Sequence, residues 1–244
     1  MSSPKKRKHP LVLNQIQIAA LERISSHVAD YIIGIDEVGV GCWAGPVVVA
    51  GVAVPKGWSD PMVDDSKELS PARRERALDE VILPAIAGCC LLSQSAEVID
   101  QIGIELAKNQ LTEGVALYLR ERFPGCLIVQ DGNRPVAVNG TQKNVVCVVK
   151  GDSLVPAVSA ASIVAKVTRD RYMRGQHELY PDFGFNTNVG YHSLKHKHAL
   201  MAQGPTPLHR RSFRPVKEAI SVRKALGETD SAPLTATLKE LVDC

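Results

Sequence analysis

The sequence predicts a mixed α/β fold built on a five-stranded sheet, and three observations lead to this prediction. Five short apolar runs rich in β-branched residues are bounded by glycines or polar turns, as strands are. Apolar residues recur at three- and four-residue spacing over residues 104–123, which is typical of an amphipathic helix. The 244 residues, of which 45% are hydrophobic and 23% charged, suffice for the core of one domain with tails.

The first half of the domain is predicted to contain three strands and two helices. Residues 31–36 and 47–54 are β-branched apolar runs separated by a glycine-rich loop, which predicts neighbouring strands. Ser70 and Pro71 supply an N-cap and a first-turn proline for a helix that extends to about residue 83. The other elements of this half are a strand at 89–93 and the amphipathic helix at 104–123.

The second half is predicted to contain two strands and three helices. Residues 127–130 and 145–149 are apolar runs of strand length. Residues 157–172 are rich in alanine with helical periodicity, and a glycine and a proline end another helix at 193–202. The chain then continues into a helix at 215–226 and a polar tail at 227–244, for which a further short helix is an open alternative.

Three short segments place acidic side chains beside glycines, each after an apolar run. They are GIDEVGVGCWAGP (residues 34–46), IVQDGN (128–133) and VVKGDS (148–153). Their acids would lie near strand ends, where loops can bring them together. Hard divalent cations such as Mg²⁺ prefer oxygen ligands, and a pair of such ions can act on a phosphodiester. The pattern therefore suggests a metal site for phosphodiester chemistry.

Each segment taken singly is more typical of a turn than of a metal ligand, because Asp and Gly both tolerate turn geometry. The first segment is harder to explain in this way. Asp36 and Glu37 are consecutive charges at the end of an apolar run, and burying paired acids costs free energy unless a cation compensates.

Six segments in series resemble the ribonuclease HII (type 2 ribonuclease H) family between residues 31 and 216. They are GIDEVGVGCWAGP, DDSKELS (64–70), QDGN, VVKGDSLVPAVSAASIVAKVTRD (148–170), GYHSLKH (190–196) and HRRSFRPV (209–216). The resemblance implies a ribonuclease H-like sheet flanked by helices, with the first and fourth strands adjacent. It divides the chain into a basic leader with a short helix (1–30), a catalytic domain with a helical substrate-binding segment (31–216), and a C-terminal helix and tail (217–244).

The resemblance implies an endonuclease that cuts the RNA strand of RNA/DNA hybrids. It also implies nicking of duplex DNA on the 5′ side of embedded ribonucleotides, which leaves 3′-hydroxyl and 5′-phosphate ends. The implied cofactor is Mg²⁺ or Mn²⁺, and the implied catalytic and metal-binding residues are Asp36, Glu37, Asp131 and Asp152. A nucleic-acid binding protein of the same fold that has lost catalysis is the alternative, and the presence of all four acids argues against it.

Further residues are expected to meet the substrate. In the loop Gly39-Val40-Gly41 the backbone would read the 2′-hydroxyl that distinguishes RNA from DNA. The family usually has Gly-Arg-Gly there, so Val40 removes a guanidinium that could hold a phosphate. Tyr191 would pack against the neighbouring sugar. Ser66 and Lys67 would approach a phosphate, or else form a polar loop before a helix.

Two other kinds of site are less well supported. Gly39, Gly41 and Gly45 follow a strand, as in a dinucleotide fingerprint, but a strand follows them where that fingerprint opens a helix. His192 and His196 would share a helix face, with His198 and His209 close in sequence, yet no cysteine or HExxH pattern completes a zinc site. Local hydrogen bonding is the preferred role, and His196 is expected to help place the substrate loop.

The charged residues have simple expected roles. Asp170 is predicted to form a surface charge pair beside Arg169 and Arg171 rather than to bind metal. PKKRK in the leader resembles a nuclear-import signal, and is equally typical of a solvated tail or a non-specific phosphate contact. The remaining basic residues either form local patches for nucleic acid or solvated helix faces; they are Arg73, Arg74, Arg76, Lys150, Lys166, Arg169, Arg171, Lys195, Lys197, Arg210 and Arg211.

The composition limits where the protein works. No apolar run approaches the ~20 residues of a membrane helix, and the N-terminal region lacks the apolar middle of a secretory signal. The six cysteines include no CxxC pair, and most lie within apolar stretches, as free thiols do in a reducing compartment. We expect a cytoplasmic monomer that binds nucleic acid and does not bind a membrane.

Overall fold

The computed structural model describes residues 13–64 and 66–228, and its centre is a mixed five-stranded sheet. The strands are β1 (Tyr31–Val38), β2 (Val47–Pro55), β3 (Gly88–Gln94), β4 (Leu127–Asp131) and β5 (Val145–Val148). They lie in the order β3-β2-β1-β4-β5, with β1–β2 and β2–β3 antiparallel and β1–β4 and β4–β5 parallel. The predicted adjacency of the first and fourth strands is confirmed. Because Ile35 pairs with Gln130, Asp36 and Asp131 leave the same edge of the sheet.

Helices flank this sheet and extend the chain towards its C-terminus. They are α1 (Gln15–Ser26), α2 (Pro71–Arg76), α3 (Leu83–Ala85), α4 (Ala96–Ile102), α5 (Ile104–Arg122), α6 (Gly151–Leu154), α7 (Pro156–Leu179), α8 (Phe185–Asn188), α9 (Leu194–Gln203) and α10 (Arg214–Ala225). A π-helical turn, Ala77–Ile82, joins α2 to α3. There the Leu83 N–H donates to the Leu78 carbonyl five residues back, and Pro84 has no N–H to continue the ladder.

Two apolar layers cover the two faces of the sheet. Ile33, Ile35 and Val49 pack with the buried face of α5, whereas Ile32 and Val52 pack with α7. β1 and β2 are therefore buried on both faces, which explains their nearly continuous apolar sequences.

α7 approaches the sheet most closely just before the first acids. A Cβ atom on Gly34 would lie 2.1 Å from the backbone of Ala157, so only glycine permits the contact. The start of α7 is thereby fixed against the strand that carries Asp36 and Glu37.

A third apolar cluster builds the C-terminal helical part. Phe183 and Phe185 lie at its centre, between Met173 of α7, Leu200 of α9 and Val216 of α10. This cluster supports the segment that carries Tyr191.

The prediction from sequence missed some short elements. α4, α6 and α8 span seven, four and four residues, which is too short for a periodic pattern to show. α7 also continues to Leu179, beyond its predicted end at residue 172. The PKKRK leader and the tail after residue 228, with its open short helix, lie outside the described residues. None of the helices within residues 13–64 and 66–228 is long and apolar enough to cross a membrane.

Candidate active site

Four carboxylates from three chain segments lie at one edge of the sheet. Asp36 and Glu37 are near the end of β1, Asp131 is the last residue of β4, and Asp152 is in the first turn of α6. The Gly151 N–H donates to Asp131 Oδ1 at 2.7 Å. That bond draws α6 against β4 and sets Asp152 beside Asp131.

Burial and repulsion between neighbouring charges raise the pKa values of Asp36, Glu37 and Asp131. Burial foremost raises the pKa of Asp36 well above its usual value, against a hydrogen bond from Ser162, and the charges of Glu37 and Asp131 add to the rise. The pKa of Glu37 is raised by burial, although Lys108 opposes the shift. Burial also raises the pKa of Asp131 against the opposing hydrogen bond from the Gly151 N–H, and the charge of Asp152 adds to the rise. The site is therefore short of positive charge.

Two lysines supply part of the missing charge. Lys67 Nζ lies 2.9 Å from Asp152 Oδ2, with the Lys67 side chain 75% exposed. Lys108 Nζ lies 3.9 Å from Glu37 Oε1 and 3.2 Å from Glu105 Oε2. The two lysines pair with Asp152 and Glu37, so within the described residues Asp36 and Asp131 are left without an ion pair.

The carboxylate oxygens of the site suit a divalent cation that is bound partly by the protein and partly by the substrate. Among the residues that the structure describes, no three acidic, histidine or cysteine side chains already form a closed cage. Mg²⁺ seldom needs one, because it keeps several waters and binds through one or two carboxylates plus substrate phosphates. The hard oxygen donors and the uncompensated negative charge of this edge both fit such an ion.

Two buried arginines hold the glycine loop (residues 39–46) that follows β1. Arg210 donates to the carbonyls of Val40, Gly39 and Gly45 at 2.6–3.1 Å. Arg169 donates to the carbonyls of Pro46, Ala44 and Val189 at 2.8–3.0 Å. Both side chains are fully buried, so their interpretation as surface patches or solvated faces is wrong. Irregular backbone needs donors for its carbonyls, and the two guanidinium groups provide them.

Asp170 and Arg74 are likewise buried rather than at the surface. Asp170 accepts from Lys166 at 2.9 Å and lies 3.9 Å from Arg74. The predicted surface pair of Asp170 with Arg169 and Arg171 is wrong, because Arg171 instead pairs with Glu75. The i,i+4 spacing on α7 and the burial of α2 against α7 select these partners.

Val40 takes the position of the family's usual arginine. Its half-buried side chain packs against the apolar cluster between the sheet and α5. A positive φ of 89° at Gly39 makes the turn, and a Cβ atom there would lie 2.4 Å from Arg169 Nε. Arg169 and Arg210 thus fix the backbone of the loop, whereas the side chain of residue 40 carries no charge.

Tyr191 lies beside the glycine loop with its ring 38% exposed. Lys166 Nζ is 5.4 Å and Arg169 Cζ 5.8 Å from the ring centroid. The preceding carbonyl, of Gly190, accepts from the Trp43 N–H at 2.9 Å. Burial raises the pKa of the Tyr191 hydroxyl to about 12, and a hydrogen bond to Cys42 adds to the shift. Tyr191 is therefore a neutral hydroxyl at the loop that is expected to read the ribose.

Ser66 and Lys67 occupy different positions at the site. Ser66 is buried, and its Oγ lies 2.8 Å from Ser162 Oγ, which in turn bonds Asp36. Lys67 is exposed and contacts Asp152. Ser66 thus supports a carboxylate from behind, while Lys67 can reach towards solvent and substrate.

Sequence analysis did not single out Ser162 or Cys42, which hydrogen-bond to Asp36 and Tyr191 respectively. Both lie inside matched segments, VVKGDSLVPAVSAASIVAKVTRD and GIDEVGVGCWAGP, so the segment match was the available signal. Two of the histidines considered for a zinc site take part in local hydrogen bonds: His196 Nδ1 lies 2.8 Å from the Tyr191 carbonyl, and His196 Nε2 lies 2.9 Å from His209 Nε2.

Comparisons with known proteins agree with this geometry. A sequence model of the ribonuclease HII family matches residues 33–216. A ribonuclease HII of Burkholderia thailandensis is 41% identical over 198 residues, which cover 79% of this chain and 87% of that protein. A ribonuclease HII of Bacillus cereus strain B4264 is 41% identical over 191 residues, which cover 78% and 71% of the two chains.

Solved structures show the same fold. The ribonuclease H2 from Pyrococcus horikoshii OT3 superposes with a TM-score of 0.65 at 24% identity, over 80% of this chain and 99% of that one. The ribonuclease HII in a PCNA complex from Archaeoglobus fulgidus gives a TM-score of 0.55 at 28% identity, over 82% and 91% of the two chains. The predicted sheet with flanking helices and a helical C-terminal part is confirmed.

Proposed function

The chain belongs to the ribonuclease HII family, and we propose that it is an endoribonuclease acting on the RNA strand of RNA/DNA hybrids. We further propose that it nicks duplex DNA on the 5′ side of embedded ribonucleotides and releases 5′-phosphate ends. Such a nick starts the excision of ribonucleotides from DNA.

The observation that carries this proposal is the meeting of four carboxylates at one edge of the sheet. They come from β1, β4 and α6, which are separate segments of the sequence but are joined by the β1–β4 pairing and the Asp131–Gly151 bond. The raised pKa values of Asp36, Glu37 and Asp131 fit a site that binds a cation.

Asp36, Glu37, Asp131 and Asp152 would hold Mg²⁺ or Mn²⁺. When bound, such an ion lowers the pKa of an attacking water and stabilises the leaving oxygen. The protein's own groups orient the ligands: Ser162 bonds the Asp36 carboxylate, and the Gly151 N–H fixes Asp131. The exposed Lys67 ammonium can exchange Asp152 for a substrate phosphate.

The glycine loop and Tyr191 would select the ribonucleotide. Arg210 binds the carbonyls of Gly39 and Val40, and a trans peptide points its N–H opposite to its C=O. The N–H groups of Val40 and Gly41 therefore point away from the guanidinium. We assign these donors and the Tyr191 hydroxyl to the 2′-hydroxyl, and the Tyr191 ring to the adjacent sugar.

A labelled duplex with one ribonucleotide tests the proposal. We expect nicking in Mg²⁺ and none with chelator, and we expect the nick to carry a 3′-hydroxyl on the upstream DNA and a 5′-phosphate on the ribonucleotide. An RNA/DNA hybrid should also be cut, while the matched all-DNA duplex should stay intact. Nicking that persists in chelator, or equal cutting of the all-DNA duplex, would contradict the proposal.

The same assay separates the enzyme from a binding protein that has lost catalysis. Binding of the ribonucleotide duplex without nicking in either Mg²⁺ or Mn²⁺ would favour the binding protein. The presence of all four acids at one edge favours the enzyme.

We place the protein in a reducing compartment such as the cytoplasm, as a monomer. The five cysteines within the described ranges are all free thiols, which suits such a compartment.

A further inference from the structure

A line of buried hydrogen bonds joins Thr206 to Tyr191 through two histidines. The Thr206 N–H donates to His209 Nδ1 at 3.0 Å, His209 Nε2 lies 2.9 Å from His196 Nε2, and His196 Nδ1 lies 2.8 Å from the Tyr191 carbonyl. Both rings are buried, at 0% exposure for His196 and 2% for His209. This Thr206–His209–His196–Tyr191 line is closed to solvent.

Aromatic side chains surround the two imidazoles. Trp43 and Phe185 have ring centroids 5.3 and 5.4 Å from that of His196, and Phe183 lies 5.0 Å from His209. An apolar enclosure of this kind makes a mispaired polar atom costly. The enclosure therefore favours one fully satisfied arrangement of the protons.

The two ends of the line fix that arrangement. A backbone N–H can only donate, so His209 Nδ1 is the unprotonated acceptor and His209 Nε2 carries the proton. His209 Nε2 then donates to His196 Nε2, and His196 Nδ1–H donates to the Tyr191 carbonyl, which can only accept. Two neutral imidazoles in a single tautomeric order result, and His209 sets the tautomer of His196.

The backbone before Tyr191 has an unfavourable geometry that needs such support. Val189 is β-branched and has φ of 44°, in the left-handed region that disfavours its side chain. Arg169 binds its carbonyl, and the Asn188 side chain accepts the Gly190 N–H at 2.8 Å. Strained backbone persists where surrounding bonds over-determine it. The hydrogen bond from His196 holds the Tyr191 carbonyl itself.

We propose that His209 is a positioning residue for ribonucleotide recognition: through His196 it fixes the Tyr191 carbonyl, and with it the ring and hydroxyl that meet the substrate. The proposal rests on the function proposed above for Tyr191. It assigns to His209 no contact with substrate or metal.

A matched pair of substitutions at His209 tests this role. In His209→Gln the amide nitrogen reaches the place of Nε2 and keeps the donor to His196. In His209→Asn the shorter amide occupies the place of Nδ1, so it can pair with Thr206 but does not reach His196. Both changes remove the ring and add an amide, so a purely structural role predicts similar losses.

We expect His209→Asn to lower kcat/KM on a single-ribonucleotide duplex by about tenfold, the loss of roughly one net hydrogen bond. His209→Gln should stay within about threefold of the parent. The affinity of both variants for an all-DNA duplex, which depends mainly on phosphate contacts, should match that of the parent. In a Tyr191→Ala background the difference between the two substitutions should disappear.

If a His209 variant does not fold, the corresponding pair of substitutions at His196 tests the same role. His196→Asn keeps a hydrogen-bond donor near the position of Nδ1, so it can still bond the Tyr191 carbonyl and should retain ribonucleotide nicking. His196→Gln can still bond His209 but not the Tyr191 carbonyl, and it should lose ribonucleotide nicking. Thermal unfolding of each variant identifies those that fold.

Equal losses in the Asn and Gln variants, or losses that add to that of Tyr191→Ala, would overturn the positioning role. If the parent nicks the ribonucleotide duplex and the variants show either of these two results, the role of His209 is refuted and the proposed function stands. A parent that does not nick in Mg²⁺ or Mn²⁺ would overturn the proposed function, and this role with it.

Discussion

At the residue scale, Asp131 combines a fixed geometry with an unfavourable charge. Its Oδ1 accepts from Gly151, and its pKa is raised by burial and by Asp152. We expect Asp131→Asn to abolish nearly all nicking, because an amide keeps the size and the acceptor but loses the anionic ligand. Its thermal stability in chelator should equal or exceed that of the parent, since the repulsion is gone.

Nicking assays and thermal unfolding of the same preparation check this prediction. Parent-like turnover by Asp131→Asn in Mg²⁺ would show that the carboxylate is not a ligand. A strongly lowered unfolding temperature would show that it is chiefly structural.

The raised pKa of Asp36 predicts how stability depends on pH without metal. A carboxyl group whose folded-state pKa lies above its usual value of about 4 stabilises the fold when protonated, and that contribution is lost as the pH rises through the raised pKa. Asp36→Asn cannot ionise. Its stability relative to the parent should therefore increase as the pH rises from about 4 to neutral pH.

Thermal unfolding across this pH range, in chelator and in Mg²⁺, checks the prediction. Mg²⁺ should raise the unfolding temperature of the parent more than that of Asp36→Asn, because only the parent offers the full charge to the ion. A difference between the two proteins that is independent of pH would contradict the assigned pKa shift.

Some of the site was predictable from sequence because carboxylates beside glycines at strand ends form a local pattern. Arg169 and Arg210 were not, because what buries them is a set of loop carbonyls up to 171 residues away in sequence. Asp170 was misplaced for the same reason: its partner Arg74 comes from another helix. Local spacing identifies a charge but not its distant partner.

At the element scale, the glycine loop lacks the family's arginine at its tip. We expect Val40→Arg to raise kcat/KM on a single-ribonucleotide duplex by roughly tenfold and to steepen its salt dependence, because a charge-assisted hydrogen bond contributes ~1.5 to 3 kcal/mol. The Arg210 bonds to the loop carbonyls involve backbone atoms and survive the change. Preference for ribonucleotides should therefore persist.

Steady-state kinetics at several salt concentrations measure both effects, with Val40→Met as an uncharged control of similar length. Unchanged kcat/KM and salt slope would show that another basic side chain, such as Lys67 or Arg211, already holds the phosphate. Loss of selectivity against all-DNA duplex would show that the loop backbone is not the ribose reader.

The Tyr191 segment should contribute to recognition more than to general affinity. Stacking of an aromatic ring on nucleic acid contributes ~1 to 3 kcal/mol in single-strand settings, whereas phosphate contacts carry most non-specific binding. We expect Tyr191→Ala to lower kcat/KM at an embedded ribonucleotide while the affinity for all-DNA duplex changes little. Tyr191→Phe separates the hydroxyl from the ring, and nicking by Tyr191→Ala at the parental rate would refute the role.

The elements themselves were predictable to the extent that their sequences are periodic or continuously apolar. β1 and β2 are buried on both faces, so their apolar runs are unbroken. α6 and α8 are single turns whose existence depends on Asp131 and on the Phe185 cluster rather than on their own sequences. The π-helical turn before Pro84 was hidden for the same reason, since a helical pattern does not specify the hydrogen-bond register.

At the scale of the whole molecule, α7 links every part of the proposed site. Ser159 in its first turn donates to the Asp152 carbonyl, Ser162 bonds Asp36, and Arg169 binds the glycine loop and the Val189 carbonyl. Its 24 residues form a rod of about 36 Å. The carboxylates and the segments proposed to read the ribose thus share one rigid support.

Inserting one alanine into α7 between Ser162 and Arg169 tests this linkage. The insertion preserves helix propensity but rotates the later half by about 100° relative to the earlier half, so Arg169 no longer faces the loop. We expect nicking to fall below detection while binding of Mg²⁺ persists. An alanine inserted after the exposed Gly140, in the turn between β4 and β5, is the control and should leave nicking intact.

The continuous helix α7 would also fix the position of the cut along the substrate. Because one continuous helix sets the spacing between the proposed ribose contact and the carboxylates, we expect the offset from the recognised sugar to the cut bond to depend on the protein and not on the base sequence. Ribonucleotides placed in any neighbouring sequence should therefore be cut at one and the same phosphate, so that product lengths report the position of the ribonucleotide like the divisions of a ruler.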